Sequence, residues 1–416
     1  MITGATDGIG KSYSFGLAAR GFNIFLVSRT QSRLDTTKSE IQKDHPDIQI
    51  RTAAFDFTTA SSDKYHDLVD ILNEVDIGML VNNVGMPYEY PDLIHNVGVE
   101  SSAMTWEWFL IGAGVTLLLL FLHRIFKILY NIFVPYVFLG PVNLHKRAGA
   151  SWAVITGATD GIGKSYSFEL AARGFNIFLV SRTQSRLDTT KSEIQEEHPD
   201  IQIRTAAFDF TTASSDEYQD LLDVLNEVDI GMLVNNVGMA YEYPDLMHNV
   251  GVERLARMVT IDTLPPTLLT AGILPQMLSR KAGIIVNIGS SAGGNKLPLW
   301  AAYSASKKYV EWLSAILRKE YGQSGITIQT ITPMLVATKM SGREETSFFA
   351  PDPATFARSA VNTIGNAAET TGYITHQLQY EGMNLFPEFL LDVVVRKMSG
   401  EIKEKAIAKR EAARSK

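Results

Sequence analysis

Cysteine is absent from the 416-residue chain. That excludes a disulfide framework and any thiolate metal site, and it is compatible with a reducing cytosolic face. The eight histidines show no zinc-type spacing either, so no metal is expected. The net charge is mildly acidic, −7, and no long basic run interrupts the body of the chain. A surface that tracks phosphates therefore has little support, and nucleic acid is not an expected partner. What the chain does have is length for two or three domains and apolar residues enough for a packed core.

Self-similarity organises the rest. Residues 1–100 reappear as residues 154–253 at a constant offset, without a gap, with roughly nine positions in ten identical. Solenoid repeats are short, divergent and several in number, whereas this is one long copy that stops abruptly at Ser101. It reads as a recent tandem duplication, or as two neighbouring coding units joined. Three parts are expected: a truncated duplicate (1–100), an apolar segment with a linker (101–150), and a complete domain with a C-terminal tail (151–416).

Between the copies lies Trp106-Glu-Trp-Phe-Leu-Ile-Gly-Ala-Gly-Val-Thr-Leu-Leu-Leu-Leu-Phe-Leu122, followed by a second apolar run over 128–141. Its uncharged core is somewhat shorter than the ~20 residues a spanning helix wants, but Arg124 and Lys127 can snorkel and Trp106 and Trp108 suit an interface. One span or a shallow hairpin both fit. A buried core helix competes, although runs this apolar seldom pack inside soluble domains. Its internal position excludes a signal peptide. Arg124, Lys127, Lys146 and Arg147 all follow the apolar core, so the positive-inside rule puts the complete copy on the cytosolic side. With one span the truncated copy faces the lumen; with a hairpin both ends are cytosolic.

Along the complete copy, β-rich runs at 152–156, 176–180, 202–208, 232–235, 283–288 and 327–332 alternate with helical stretches. Such alternation predicts an α/β fold with a parallel sheet covered on both faces.

The first of these runs leads into Thr156-Gly-Ala-Thr-Asp-Gly-Ile-Gly163 and a helix-like stretch from Lys164 to Arg173. Gly157 permits the tight turn, Gly161 lets the backbone approach a pyrophosphate, and Gly163 allows close helix packing, while the helix N-terminus offers an anion site. A glycine turn alone is as often structural. At the end of the second strand stand Ser181 and Arg182 rather than an acidic residue. A guanidinium there pairs with the 2′-phosphate of NADP, where a carboxylate would accept from the ribose hydroxyls of NAD, and Lys164 adds charge nearby. An ordinary surface arginine is the other reading.

Further on, Gly283-Ile-Ile-Val-Asn-Ile-Gly-Ser-Ser-Ala-Gly293 ends a strand in paired serines, and Tyr303-Ser-Ala-Ser-Lys307 follows. Tyr303 and Lys307 are four apart, so on a helix they share a face and an ammonium lies beside a phenol. A free phenol loses its proton only near pH ~10, and an adjacent cation favours the phenolate. Tyr303 then protonates a substrate alkoxide, while Ser290 polarises the carbonyl that a nicotinamide hydride attacks. A Tyr and a Lys one turn apart are by themselves a routine surface pair; the glycine turn and the serine strand upstream give them meaning.

Together, Thr156-Gly-Ala-Thr-Asp-Gly-Ile-Gly163, Asn235-Asn-Val-Gly238, Ser290 and Tyr303-Ser-Ala-Ser-Lys307 resemble the short-chain dehydrogenase/reductase family, from Val154 to about Thr338. The phrases Lys146-Arg-Ala-Gly-Ala-Ser-Trp-Ala-Val154 and Thr371-Thr-Gly-Tyr-Ile-Thr-His376 narrow the likeness. They point to membrane-bound very-long-chain 3-oxoacyl-CoA reductases, 17β-hydroxysteroid dehydrogenase type 12 and nematode steroid dehydrogenases. The resemblance implies a Rossmann-like, doubly wound sheet and a cofactor turn that includes Asp160 and Ile162. It implies that Asp209 contacts adenine, that Asn236 lies against the cofactor, that Thr338 touches the nicotinamide end, and that Lys307 also holds the nicotinamide ribose. In Met258-Val-Thr-Ile-Asp-Thr-Leu264 the family pattern has asparagine where this chain has Asp262. If the family residue works through its backbone carbonyl on a relay water, aspartate preserves activity; if the side-chain amide matters, the relay is weakened.

The implied activity is NADPH-dependent reduction of a lipid ketone at the endoplasmic reticulum membrane. A long-chain 3-oxoacyl-CoA in fatty acid elongation is the first substrate class and a steroid ketone the second, and a homodimer is compatible with the resemblance. A catalytically silent membrane scaffold is the rival of another class. The first copy keeps Thr3-Gly-Ala-Thr-Asp-Gly-Ile-Gly10, Arg29, Asp56 and Asn82-Asn-Val-Gly85 but ends before any counterpart of Ser290, Tyr303 or Lys307. It cannot catalyse alone, and without the later strands its stability is questionable. Phe348-Phe-Ala-Pro351 stands where a substrate loop belongs, or packs beneath an ordinary one, and the tail over 397–416 reads as a solvated helix or a frayed end.

Overall fold

The computed structural model describes residues 1–57, 62–75, 77–81, 83, 106–342 and 345–414. Two units emerge, Met1–Met104 and Thr105–Lys416; the apolar segment belongs to the second.

The first unit contains β1 (Ile2–Thr3), α1 (Gly8–Ala18), β2 (Ile24–Ser28), α2 (Gln31–Asp44), β3 (Ile50–Ala54) and α3 (Ser62–Asn73). Its parallel sheet runs β1-β2-β3, with Val81 bridging Ile2. Near-identical sequence here meets a different environment. Tyr13 is 52% exposed and Leu80 61%, whereas their counterparts Tyr166 and Leu233 are 0% exposed. Burying such a side chain is worth about 1.5–3 kcal/mol, so the truncated copy forgoes much of what stabilises the complete one. Of Asn82-Asn-Val-Gly85, only Asn83 falls among the described residues.

The second unit opens with α4 (Trp106–Phe133), which runs into a π-helical turn at Val134–Phe138 and is followed by α5 (Leu144–Ala148). The two apolar runs thus lie in one continuous helical segment, with no hairpin turn between them. Over Gly112–Phe138 it is long and apolar enough to cross a membrane, and none of its most apolar stretch is buried by protein.

The sheet follows: β4 (Trp152–Thr156), α6 (Gly161–Ala171), β5 (Asn176–Ser181), α7 (Gln184–Glu197), β6 (Ile203–Ala207), α8 (Ser215–Leu225), β7 (Ile230–Asn235), α9 (Met247–Val250), α10 (Val252–Arg280), β8 (Gly283–Ile288), α11 (Ser291–Gly294), α12 (Ala301–Tyr321), β9 (Ile326–Ile331), α13 (Pro353–Asn362), β10 (Glu369–Thr370), α14 (Ile374–Met383) and α15 (Glu388–Arg414). The seven strands are all parallel in the order β10-β9-β8-β7-β4-β5-β6. The order reverses between β4 and β7, which opens a crevice at their carboxyl ends where α/β sheets bind ligands. Continuous runs of Val, Ile and Leu form the strands because both faces are covered. Leu187, Tyr166 and Phe356 pack into one layer, and Leu225, Leu269 and Met277 into the other.

Candidate active site

The glycine turn is built as its spacing requires. Gly157 and Gly161 have positive φ, 64° and 50°, a region that side chains other than glycine avoid. Gly163 has no room for a Cβ, which would collide with the Gly157 carbonyl and the Asn236 amide. Asn236 clamps the turn by donating from Nδ2 to the Thr156 carbonyl at 2.9 Å, while the Thr156 hydroxyl accepts from the Asn236 and Val237 amides at 2.9 and 3.0 Å. Asp160 caps α6, accepting from Gly161 N at 2.8 Å, and it pairs with Arg186 at 2.9 Å and Lys339 at 3.3 Å. Burial pushes its carboxyl up, but those two cations prevail and hold it below the usual range.

Thr338, on the loop after β9, lies against the same turn: a Cβ on Gly161 would come within 3.2 Å of its Cγ2. Ile162 is the first-turn neighbour on α6 and is partly buried against the core. After β6, Asp209 folds back on Thr211, accepting from its amide at 3.0 Å and its hydroxyl at 2.7 Å. Burial acts to raise this carboxyl, but Thr211 and the charges of Arg182 and Arg257 keep it low. Arg182 is exposed and close enough to act on Asp209. Lys164 pairs with Glu193 on α7.

The second cluster joins four elements. Ser290, two residues past the end of β8, is the N-cap of α11, and its oxygen accepts from Ala292 N at 3.2 Å, which leaves its hydrogen to donate. The Ser304 hydroxyl on α12 donates to the carbonyls of Ala292 and Asn295 at 2.6 and 2.8 Å. A Cβ on Gly293 would sit 2.8 Å from the backbone of Lys307. These contacts pack α11, which Ser290 caps, against the turn of α12 that carries Tyr303 and Lys307. Lys307 Nζ is 5.7 Å from the Tyr303 ring centroid, as the four-residue spacing predicts.

One partner was not legible: Lys307 Nζ also lies 3.3 Å from Asp262 Oδ1 on α10, with both side chains buried. Asp262 Oδ1 further accepts from Met239 N at 3.0 Å, and its Oδ2 accepts from the Ser306 hydroxyl at 2.7 Å. Burial alone would push the ammonium down, but Asp262 and then Tyr303 outweigh it and hold Lys307 above the ordinary lysine value. Gly238 closes the pocket, since a Cβ there would stand 2.8 Å from both Asp262 Oδ1 and Lys307 Nζ. Pro266, inside α10, lacks the N–H that an α-helix would aim at the Asp262 carbonyl four residues earlier. That carbonyl keeps its acceptor capacity within the cluster.

Pro266 was missed although it lies in the same helix as Asp262, four residues on, whereas the contacts of Gly238 and Ser306, which stand inside the quoted motifs, and the Asp262 ion pair join distant segments that no local window holds. His376 makes another such contact. Its imidazole donates from Nε2 to the Leu335 carbonyl at 3.1 Å and accepts at Nδ1 from Met334 N at 3.4 Å, fixing the loop that leads to Thr338. Protonation would set two N–H groups against each other, and burial lowers its pKa to about 4. Phe348 and Phe349 stack edge to face at 5.0 Å and stay exposed; they do not pack beneath the loop.

The short chain dehydrogenase family model matches residues 1–106 and 151–347. Over 310 residues the chain is 63% identical to the very-long-chain 3-oxooacyl-coA reductase let-767 of Caenorhabditis briggsae, covering 74% of this chain and 98% of that protein. It is 58% identical, with the same coverage, to a Caenorhabditis elegans protein named for steroid dehydrogenase activity. It is 37% identical to the very-long-chain 3-oxoacyl-CoA reductase of Mus musculus over 62% of this chain and 83% of that protein. A solved 7β-hydroxysteroid dehydrogenase shares the fold, with TM-score 0.54 and 19% identity over 62% of this chain and 99% of its own. The chain is therefore a member of the short chain dehydrogenase family of oxidoreductases.

Proposed function

We propose that residues 151–416 reduce the ketone of a 3-oxoacyl-CoA to the 3-hydroxy product with NADPH, at the endoplasmic reticulum membrane and with the catalytic domain in the cytosol. The observation that carries the reading is the Lys307 ammonium 5.7 Å from the Tyr303 ring centroid, on a helix whose Ser304 hydroxyl bonds the α11 turn that Ser290 caps. The names of relatives covered almost end to end support the substrate class. The cofactor fits what is present: a turn that tolerates no Cβ at Gly163, a helix N-terminus behind it, and Arg182 rather than a carboxylate at the end of β5. Gly157, Asp160, Gly161, Ile162, Gly163, Asn236 and Thr338 would hold its pyrophosphate side, and Asp209 and Arg182 its adenosine.

When bound, the nicotinamide supplies the hydride that adds to the carbonyl carbon. Ser290 donates its remaining hydrogen to the carbonyl oxygen and orients it. Tyr303 gives its phenol proton to that oxygen as charge develops, so the product leaves as an alcohol. Lys307 places a fixed positive charge beside the phenol, and Asp262 fixes the lysine. The Asp262 carbonyl, relieved of its helix partner by Pro266, can hold a water that returns a proton to Tyr303. The first copy has none of these groups and serves no step.

NADPH oxidation by the purified full chain, offered 3-oxoacyl-CoAs and keto-steroids in parallel, tests the proposal. Turnover of the acyl-CoA supports it. A steroid turned over in preference moves the chain toward its relatives named as steroid dehydrogenases. No turnover of either, in a protein that binds NADPH, favours the silent scaffold.

A further inference from the structure

The base of α4 is fastened to the catalytic domain. The Arg124 guanidinium bonds the Asn384 carbonyl at the end of α14, Asn131 Nδ2 donates to Glu381 at 2.8 Å, and Tyr136 meets Thr370. Arg124 is the first formal charge after the uncharged run of α4 and lies inside the Gly112–Phe138 stretch, so in a membrane its long side chain snorkels to carry the guanidinium to headgroup level. Asn384 is thereby held at that same level.

The chain that leaves Asn384 is apolar and bare. Phe386 is 60% exposed, and on the first two turns of α15 Phe389 is 67% and Val393 65% exposed, with Leu390 and Val394 beside them. The helix cannot roll to bury this face, because its other side is taken. Ser399 accepts from Trp300 Nε1 at 3.3 Å, Lys403 reaches Asp245 at 2.7 Å, and Glu388 pairs with Lys296 at 2.9 Å. Further along, the outward positions turn charged, with Lys397, Glu401, Glu404 and Lys405. The apolar surface is densest at the end tethered at Arg124 and thins beyond it to Met398, Ile402 and Ile407; Arg396 and Lys397 follow the dense end directly.

We infer that residues 385–394 are an in-plane membrane anchor, sunk into the leaflet that faces the catalytic domain. The inference rests on the proposed membrane placement of α4 and adds a second point of attachment. The occupant is lipid rather than protein, because the patch sits at the level of the span and is rimmed by the cations Arg124, Lys127, Arg396 and Lys397 that suit phosphate headgroups. An amphipathic segment of this kind settles about 5–10 Å into the headgroup boundary. Through Ser399 and Trp300, whose ring lies 6.1 Å from that of Tyr303, the anchored helix also fixes one wall of the cleft relative to the lipid.

The cysteine-free chain permits a direct test. Single nitroxides are placed by Val393→Cys, Leu119→Cys and Glu404→Cys in the full chain, reconstituted in vesicles of phosphatidylcholine and phosphatidylserine, and collision rates with oxygen and with a water-soluble nickel chelate are compared. The oxygen-to-nickel ratio at Val393 is expected to exceed that at Glu404 severalfold, with Leu119 higher still. A low ratio at Val393 beside a high one at Leu119 overturns the anchor and leaves the span standing. A low ratio at Leu119 overturns the span and the anchor with it. A label at Val393 shielded from both reagents means protein contact and also overturns the inference.

Discussion

The ammonium of Lys307 lies 3.3 Å from Oδ1 of Asp262, and both side chains are buried. The pair should therefore govern stability as well as chemistry. Removing one partner of a buried ion pair costs about 3–5 kcal/mol, because the other charge is left unpaired. Asp262→Leu is expected to lose that much at neutral pH, read from the urea midpoint, and Asp262→Asn less, since an amide oxygen can still accept from Met239 N. The pH dependence should change as well. The folded pKa of Lys307 lies above 10.5, so its contribution is complete below 10.5 and is lost as pH rises through the folded value. In Asp262→Leu burial, the largest influence on Lys307, is opposed by Tyr303 alone, and stability should instead rise with pH as it approaches 10.5.

Pro266 separates stability from turnover. Pro266→Ala supplies the N–H that an α-helix aims at the Asp262 carbonyl and improves helix propensity. The thermal midpoint should hold or rise, whereas kcat should fall roughly tenfold with KM for NADPH unchanged. Unaltered kcat would remove the carbonyl from the relay.

His376 predicts acid sensitivity of the loop that carries Thr338. Its folded pKa, about 4, is below the ordinary 6.5. The unfolded chain therefore binds the proton first, and stability falls as pH drops from about 6.5 toward about 4, by up to about 3 kcal/mol. Urea unfolding across that range should show the slope, and His376→Asn should flatten it.

Arg182 sets the cofactor preference. Arg182→Asp replaces a partner for the 2′-phosphate with one that repels it. KM for NADPH is expected to rise roughly tenfold or more, with KM for NADH unchanged or lower. Equal effects on both cofactors would reduce Arg182 to a surface charge.

Much of this was legible in local pattern. The six runs read as strands lie within one or two residues of β4 to β9, because buried parallel strands are written as continuous apolar segments bounded by turns. The glycine turn and the Tyr303–Lys307 spacing are local too. β10 was missed because two residues, Glu369 and Thr370, carry no period. The Asp262 pairing and the docking of Ser399 on Trp300 join segments far apart in the chain, which no window of sequence contains. The partner of Lys164, Glu193, sits on the next helix and escapes such a window in the same way. Over 397–416 the helical alternative holds as far as Arg414, and the same helix, α15, begins upstream at Glu388 because its inner face has protein to hold it.

The account turns on the phenol of Tyr303, and Tyr303→Phe removes one oxygen and little else. With the full chain in lipid vesicles, NADPH oxidation on a saturating long-chain 3-oxoacyl-CoA should fall about 10²–10⁴-fold, while NADPH binding and the thermal midpoint stay at parent values. Retention of parent turnover by a Tyr303→Phe protein that is folded and cofactor-bound would contradict it.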